Sequence, residues 1–243
     1  MKLITLNTWG GVVHKPLLEF LATNKDLDIF CFQEIFHDTP EEKVKEMTSK
    51  VARDLFADIE AVLPDHKGYF RPSLENYYGI AVFVRKDISV KKEGDIPVYS
   101  SGDEKRGYHS RNLQYIEIAE GDESLTIAHV HGLWNGNGKT DTESRLEQSK
   151  KIKAFMDSVS GPKILCGDFN LLPDTESLKM LEPGLRNLIK DYGITCTRTS
   201  FYTRSTDKYA DYMLVSPDIK VIDFKVLPDE VSDHSALLLE FEV

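Results

Sequence analysis

Short apolar segments recur along the chain, and most are bounded by glycine, proline or charged residues. Segments of this length that are rich in β-branched and aromatic residues are typical of β-strands. They predict strands at Lys2–Asn7, Asp28–Gln33, Gly79–Arg85, Leu113–Ile118, Leu125–His131, Lys163–Gly167, Tyr212–Ser216, Lys220–Val226 and Ser235–Val243.

Apolar residues spaced three or four positions apart predict a few helices. Thr39 and Pro40 offer an N-cap and a first-turn proline ahead of one such stripe, which consists of Val44, Met47, Val51, Leu55, Ile59 and Val62. Thr140 and Glu143 have capping-box spacing before a second stripe formed by Leu146, Ile152, Phe155 and Val159. A shorter helix is predicted from Pro16 to Thr23. The opposite helix faces are charged, so the pattern predicts an α/β fold in which outer helices cover two stacked sheets.

Composition places the chain among ordinary globular proteins. It has 243 residues, of which 41% are hydrophobic and 29% charged, and it contains no internal repeat or Ser/Gly-rich linker, so we expect one domain over residues 1–243. No apolar run approaches the roughly 20 residues that a membrane span needs. The first residues enter a strand pattern without the features of a signal peptide. The number of cysteines, three, is odd, so we expect no disulfides and a cytoplasmic location. We also expect a monomer.

The charge balance narrows the possible partners. Forty acidic residues against 30 Lys and Arg give a net charge of −10, which argues against nonspecific binding to nucleic acid through overall charge. An acidic protein can still act on nucleic acid if its carboxylates recruit divalent cations.

Polar side chains follow several of the predicted strands at the point where each ends. Asn7, Gln33-Glu34, His131 and Asp168 all come directly after apolar runs. Strands that deliver such groups to a common rim are a frequent way of building a site on a sheet.

The Gly167-Asp168-Phe169-Asn170 segment is the most specific of these. In an extended segment Asp168 and Asn170 would point to one face, where they could share a metal or a substrate. A turn is the alternative, since Gly, Asp and Asn all favour turns. Calcineurin-like metallophosphoesterases also begin with Gly-Asp, but the His-rich motifs that follow it in that family are absent here.

Three other groups are candidates for chemistry. Glu34 supplies the anionic oxygen that a hard divalent ion needs. Asp211 could orient the imidazole of His234 and raise its pKa by charge proximity. His129 and His131 could alternatively form a transition-metal pair, although no third His or Cys stands at a supporting spacing.

The order of these motifs resembles that of the endonuclease/exonuclease/phosphatase superfamily, whose fold is that of deoxyribonuclease I. The matching segments are Asn7, Gln33-Glu34, the strand ending in His131, Gly167–Asn170, Asp211-Tyr212 and Ser232–His234. The resemblance implies a four-layer α/β/β/α sandwich with two stacked, mostly antiparallel sheets. It also implies a divalent-metal phosphoesterase site at one edge of the sheets.

The resemblance further implies roles for individual residues. Asn7, Glu34 and Asp233 would hold the metal, which would be Mg²⁺ or Mn²⁺, and Asn7 would also contact the phosphate. Asp168, Asn170, His131, Asp211 and His234 would be the catalytic set, with Asn170 and Arg111 contacting the substrate. His131 matches the histidine of the deoxyribonuclease I, sphingomyelinase and inositol-phosphatase branches. The carboxylate expected to support it is not evident, and Glu75 and Glu117 are the candidates.

The expected activity is metal-dependent hydrolysis of a phosphodiester, with nucleic acid among the possible substrates. The alternatives are hydrolysis of a phosphomonoester, including a lipid headgroup or inositol phosphate, and a non-catalytic phosphate-binding module. The expected rim loops mix acidic and basic residues: Asp103, Glu104, Lys105, Arg106, Arg111, Lys139, Asp141 and Glu143. Mixed charge of this kind favours a small phosphodiester over a long duplex.

Overall fold

The computed structural model describes residues 1–46, 50–100, 109–120, 123–203 and 206–243. These ranges contain twelve strands and six α-helices, in the order β1 Lys2–Asn7, α1 His14–Thr23, β2 Ile29–Phe36, α2 Glu41–Glu46, α3 Leu55–Val62, β3 His66–Leu74, β4 Tyr78–Arg85, β5 Val90–Tyr99, β6 Arg111–Glu120, β7 Glu123–His131, α4 Glu143–Ser158, β8 Lys163–Asp168, α5 Glu176–Lys179, β9 Arg186–Asn187, α6 Leu188–Asp191, β10 Asp211–Val215, β11 Lys220–Val226 and β12 Leu237–Glu242. A short 3₁₀-helix, Trp9–Gly11, follows β1.

The strands form two six-stranded sheets within the described ranges. The first sheet has the order β11-β12-β1-β2-β4-β3, and the second has the order β5-β6-β7-β8-β10-β9. The pairs β1/β2 and β7/β8 are parallel, and the other pairs that the structure describes are antiparallel.

Both faces of the central strands are buried, which explains why their sequences are continuously apolar. In β2, Cys31 belongs to the buried cluster between the two sheets. Phe30 and Phe32 point the other way, into the cluster that α1 and α3 cover. On the second sheet, α4 packs against β5 and contributes Ile152 to the core. The result is the four-layer α/β architecture that the sequence predicts.

The strands that the sequence pattern missed all lie at sheet edges. β3 ends the first sheet, and β5 and β9 end the second. β3 contains Pro72 and β5 contains Pro97, which an edge strand tolerates because it has no neighbour on one side. Their residues are largely exposed or half-buried, so no continuous apolar run marks them.

Two helix predictions need correction. The single stripe from Val44 to Val62 is divided between α2 and α3, while Met47 lies outside the described residues. α3 begins afresh because the Asp54 side chain accepts a hydrogen bond from the Ala57 amide at 3.1 Å. The N-cap of α4 is Thr142, whose hydroxyl accepts from the Arg145 amide. The predicted Thr140 does not cap this helix.

The cysteines and the helices bear on two of the sequence predictions. All three cysteines are free, and Cys31 and Cys166 are buried. Among the described helices, none combines the length and apolar character that crossing a bilayer demands.

Candidate active site

The strand ends that carry the predicted polar residues meet at one edge of the two sheets. Asn7 pairs in register with Gln33, and Asp168 pairs with both His131 and Asp211. Together with the loop before β12, these ends surround a cavity of about 420 Å³. Its lining includes Glu34, Arg111, His131, Asp168, Asn170, Asp233 and His234. Asn7 and Asp211 lie behind the cavity wall, where they bond to lining groups.

Glu34 reaches the cavity because β2 is irregular at this residue. Its φ is +60°, and the pairing with β4 shifts register between Gln33 and Ile35. Such a bulge redirects a side chain out of the strand alternation. Burial, together with the nearby Asp233 and Asp168 carboxylates, raises the pKa of Glu34 to about 7, although the hydrogen bond from Asn7 lowers it.

Asn7 joins the two sheets across the site. Its Nδ2 atom lies 3.0 Å from Glu34 Oε1 and 3.0 Å from Asp168 Oδ2. Its Oδ1 atom accepts from the Trp9 amide, and Ser232 Oγ donates to its carbonyl. Asn7 therefore holds two carboxylates, one from each sheet, close to one another.

Asp168 and Asn170 come together through a turn. Asp168 is the last residue of β8, whereas Asn170 has a φ of +51°. The Asn170 amide donates to Asp168 Oδ1 at 2.9 Å, and Asn170 Nδ2 donates to the Gly132 carbonyl at 3.2 Å. The interpretation of an extended segment with both side chains on one face is therefore wrong. Gly167 is required just before them, since a Cβ there would lie 2.2 Å from the Val130 carbonyl oxygen.

His234 and Asp211 form a buried pair. His234 Nδ1 lies 2.8 Å from Asp211 Oδ1, and Thr197 Oγ1 donates to Asp211 Oδ2 at 2.8 Å. Burial lowers the pKa of His234 to about 4 and raises that of Asp211 to about 6. The expected rise in the pKa of His234 is therefore wrong, because desolvation of the imidazolium outweighs the attraction of the surrounding carboxylates.

In the neutral imidazole of His234, one ring nitrogen donates a hydrogen bond and the other accepts one. If Nδ1–H donates to the Asp211 carboxylate, Nε2 presents a lone pair. That atom lies 3.6 Å from Asp168 Oδ2 and 3.9 Å from Asp233 Oδ1. The lone pair thus faces the space between two carboxylates.

His131 faces the same space from β7. Its Nε2 atom lies 3.8 Å from Glu34 Oε1 and 3.7 Å from Asp168 Oδ2. Burial, followed by the charge of Arg111, holds its pKa well below the ordinary value. Its Nδ1 atom is buried with no hydrogen-bond partner among the described residues. Glu75 instead pairs with Lys43, and Glu117 lies in β6 opposite Thr126, so neither supports His131.

His129 does not form a metal pair with His131. Its Nδ1 atom accepts from Gln33 Nε2 at 3.2 Å and its Nε2 atom donates to Gln114 Oε1 at 2.8 Å. Both ring nitrogens are therefore occupied in the layer between the sheets. Burial lowers the pKa of His129 to about 3, consistent with a neutral ring.

Arg111, at the start of β6, lines the cavity and is 5% exposed. It hydrogen-bonds Tyr78, which also lines the cavity. Its Nε and Nη1 atoms are buried without a partner in the part of the chain that the structure describes. Unused donors on a side chain that lines the cavity fit the predicted contact with a phosphate oxygen.

Sequence reasoning missed several lining residues: Tyr78, His109, Arg198, Tyr202 and Asp207. Lys139 was considered only as a rim charge, yet it is 2% exposed. Arg198 and Tyr202 precede β10 in a stretch without regular secondary structure, so no strand end marked them. The predicted rim charges Asp103, Glu104, Lys105 and Arg106 lie outside the described residues.

Arg145 holds the loop that carries Lys139. This fully buried arginine donates to the carbonyls of Leu133, Thr140 and Gly138. Asp141, another predicted rim charge, accepts from the Glu176 and Ser177 amides at the start of α5. These side chains shape the loop and are not presented to a ligand.

The carboxylates at the site fit a hard divalent cation. Burial is the main cause of the raised pKa of Glu34, and the nearby Asp233 and Asp168 carboxylates add to it, so a bound cation would relieve the repulsion among these groups. Asp168, Asp211 and His234 also have ligand atoms within 4.8 Å of one another. Oxygen donors of this kind are those that Mg²⁺ and Mn²⁺ prefer.

The endonuclease/exonuclease/phosphatase family model matches residues 4–234, which is nearly the whole chain and includes every strand end described above. The chain belongs to the endonuclease/exonuclease/phosphatase family. It is therefore related to hydrolases that act on phosphate esters. No curated protein sequence matches it at a significant level.

Solved structures of this family share the fold. A family protein from Bacteroides thetaiotaomicron superimposes with a TM-score of 0.73 at 20% identity, covering 99% of this chain and 94% of that one. A mannosyl-6-phosphatase from the same organism gives 0.72 at 20% identity, with 100% of both chains covered. D. rerio TDP2 complexed with a single-stranded DNA product gives 0.71 at 16% identity, covering 100% and 99%. At these identities the likeness establishes the deoxyribonuclease I-like fold.

Proposed function

We propose that this protein hydrolyses a phosphodiester with the help of a divalent cation. The observation that carries the proposal is the convergence of Glu34, Asp168 and Asp233 with two neutral histidines in one cavity that also presents Arg111. A phosphodiester repels hydroxide, so its hydrolysis needs neutralised charge and a water held in line. This set of side chains can supply both.

Glu34 and Asp233, with the side-chain oxygen of Asn7, would hold Mg²⁺ or Mn²⁺. When bound, the ion would polarise a non-bridging phosphate oxygen and stabilise the leaving alkoxide. The side-chain oxygen of Asn7 now accepts from the Trp9 amide, so its use as a ligand requires a shared or exchanged hydrogen bond.

Asp168 orients the attacking water by accepting a hydrogen bond from it, and Asn170 holds the phosphate beside it. His234 accepts the proton of the water at Nε2, the atom that faces Asp168 at 3.6 Å. Asp211 stabilises the imidazolium that forms, since it already bonds Nδ1. Because the pKa of His234 is lowered, its ring is unprotonated at neutral pH and can accept a proton.

Arg111 contacts a phosphate oxygen through its unused N–H groups. His131 stabilises the charge that develops on the phosphoryl oxygens or serves as the general acid, because its Nε2 atom faces the same space. A bound anion would favour the protonated ring that either role requires.

A phosphomonoesterase is the second candidate, including action on a lipid headgroup or an inositol phosphate. It is favoured by the small cavity, which Arg111 and Arg198 both line, and by the likeness to a mannosyl-6-phosphatase. A non-catalytic phosphate-binding module is disfavoured, since every predicted catalytic group is present. The cytoplasmic location, monomeric state and single-domain organisation stay predictions.

A substrate panel tests the proposal. Purified protein is incubated with Mg²⁺, Mn²⁺ or EDTA and plasmid, single-stranded DNA, RNA, bis-p-nitrophenyl phosphate, p-nitrophenyl phosphate and inositol phosphates. Cleavage of a diester that EDTA and Asp168→Asn both abolish supports the proposal. Cleavage of monoesters alone favours the second candidate, and undiminished turnover in EDTA contradicts the requirement for a cation.

A further inference from the structure

Two cations and a tyrosine, all outside the motif segments named in the sequence analysis, lie together at one side of the cavity. Lys139, Arg198 and Tyr202 all line it, and we call them the Arg198 subsite. They lie toward β10, whereas Arg111 lies on β6, so Arg111 and the Arg198 subsite stand on opposite sides of the strand ends that carry His131 and Asp168.

Both cations are held against the ring of Tyr202. The Arg198 guanidinium carbon lies 4.1 Å from the ring centroid, and Lys139 Nζ lies 5.2 Å from it. The Arg198 side chain is 7% exposed. Its backbone pairs with that of His234 through an isolated bridge, which fixes the Arg198 backbone next to His234.

A purely structural role does not account for Arg198. Its Nη1 atom pairs with Asp233 Oδ2 at 3.3 Å, but Nε is buried and makes no hydrogen bond within the described ranges. Buried donors in folded proteins are nearly always satisfied, so an unsatisfied one on a side chain that lines a cavity indicates a missing acceptor.

Lys139 adds a second charge at the same place. Its ammonium donates to the Tyr209 carbonyl at 2.6 Å, which uses one of its three hydrogens. The loop that carries it is held by the carbonyl contacts of Arg145. Two cations fixed this close together repel each other, and an anion between them would relieve that repulsion.

We infer that the Arg198 subsite binds a second phosphate group of the substrate, separate from the phosphate that is hydrolysed at Asp168. This inference rests on the proposed function and specifies its substrate class: a small molecule with a scissile phosphate ester and another phosphate on the same scaffold. Arg111 contacts the scissile group, and Arg198 with Lys139 contacts the other.

Matched substrates that differ by one phosphate test the inference. The first pair is the p-nitrophenyl ester of thymidine 5′-phosphate with and without a 3′-phosphate, and the second is glucose 1,6-bisphosphate and glucose 6-phosphate. The wild-type protein is expected to favour the doubly phosphorylated member of at least one pair by about tenfold or more in kcat/KM. In Arg198→Gln and Lys139→Met this preference falls to about one, while Arg198→Lys retains part of it.

The matched control is Arg186→Gln. Arg186 is an exposed residue of β9 that pairs with Asp191, and this variant is expected to keep the preference for the doubly phosphorylated substrate. Calorimetry provides a readout that needs no turnover: thymidine 3′,5′-bisphosphate should bind the wild type more tightly than thymidine 5′-phosphate, and Arg198→Gln should remove the difference. Circular dichroism confirms that each variant is folded.

The outcomes separate the two proposals. Hydrolysis without preference in either pair, together with equal binding of the two nucleotides, overturns the subsite and leaves the proposed function intact. Preferential binding of the bisphosphate without hydrolysis of any substrate supports the subsite and contradicts the proposed function.

Discussion

Gln33 Nε2 lies 3.2 Å from His129 Nδ1 and thereby connects the first sheet to the second inside the core. The connection continues to Gln114 through His129 Nε2 and from Gln114 to the Tyr69 carbonyl. Gln33 immediately precedes Glu34, and His129 stands two residues before His131. This buried chain of hydrogen bonds therefore sets the position of the two strand ends that face each other across the cavity.

The first prediction concerns His129. His129→Leu should lower the free energy of unfolding by about 2 kcal/mol, because the buried Gln114 Oε1 loses its donor and Gln33 Nε2 loses one of its acceptors. Activity should also fall, as Glu34 and His131 lose their fixed separation. Urea unfolding and steady-state kinetics measure the two effects.

A triple variant provides the control. Replacing Gln33, His129 and Gln114 together by leucine removes all the side chains that would be left unpaired, so part of the lost stability should return while activity stays low. A His129→Leu protein as stable as the wild type would show that the chain of hydrogen bonds has no structural role.

The second prediction concerns Glu34 in metal-free protein. Its folded pKa of about 7 exceeds the ordinary value of 4.5, so the protonated folded form contributes stability at low pH that is lost as pH rises from about 4.5 to about 7. In EDTA at pH 8, Glu34→Gln should therefore raise the melting temperature. At pH 4 the difference should vanish, since Glu34 is then protonated in both states.

Added Mg²⁺ should reverse the order of the melting temperatures of the wild type and Glu34→Gln. It should raise the melting temperature of the wild type but not that of Glu34→Gln, which lacks the anionic ligand. Glu60→Gln, on the exposed side of α3, is the control and should behave as the wild type throughout. A metal titration unchanged in Glu34→Gln would remove Glu34 from the metal site.

The third prediction separates the backbone and side-chain roles of Asn170. With φ at +51°, Asn170→Gly should keep the turn but lose activity and the stability that the side-chain hydrogen bond to the Gly132 carbonyl contributes. Asn170→Ala should lose activity and be about 1 kcal/mol less stable than Asn170→Gly, because alanine is strained in this conformation. Thermal unfolding and kcat measure these effects. Equal stability of the two variants would contradict the assigned strain.

The fourth prediction concerns duplex DNA. Among the predicted rim charges that the structure describes, Lys139 is buried, and Asp141 is engaged at the start of α5. With a net charge of −10, the protein should bind duplex DNA weakly and with a steep dependence on salt. Fluorescence anisotropy across a salt series measures this. Tight duplex binding that persists at physiological salt would contradict a small-molecule substrate.

Much of this protein could be predicted from its sequence. The central strands were recognisable because burial on both faces demands continuous apolar segments, as in Phe30 to Phe32. The site was recognisable because polar residues in an apolar context stand out, as Asp168 does after Ile164 to Cys166. Both signals lie within a short stretch of sequence, so they can be recognised without knowing which distant segments pack against it.

The tertiary structure decided what depends on distant parts of the chain. Edge strands such as β3 and β5 are defined by pairing with a neighbour, and their own residues carry little signal. Arg198 joins the cavity only because its segment pairs with that of His234. The protonation of His234 follows from burial by surrounding elements, and desolvation outweighs the charge of a partner that sequence order could suggest. The residue types at the site are thus a property of the sequence, whereas their electrostatic state is a property of the packed fold.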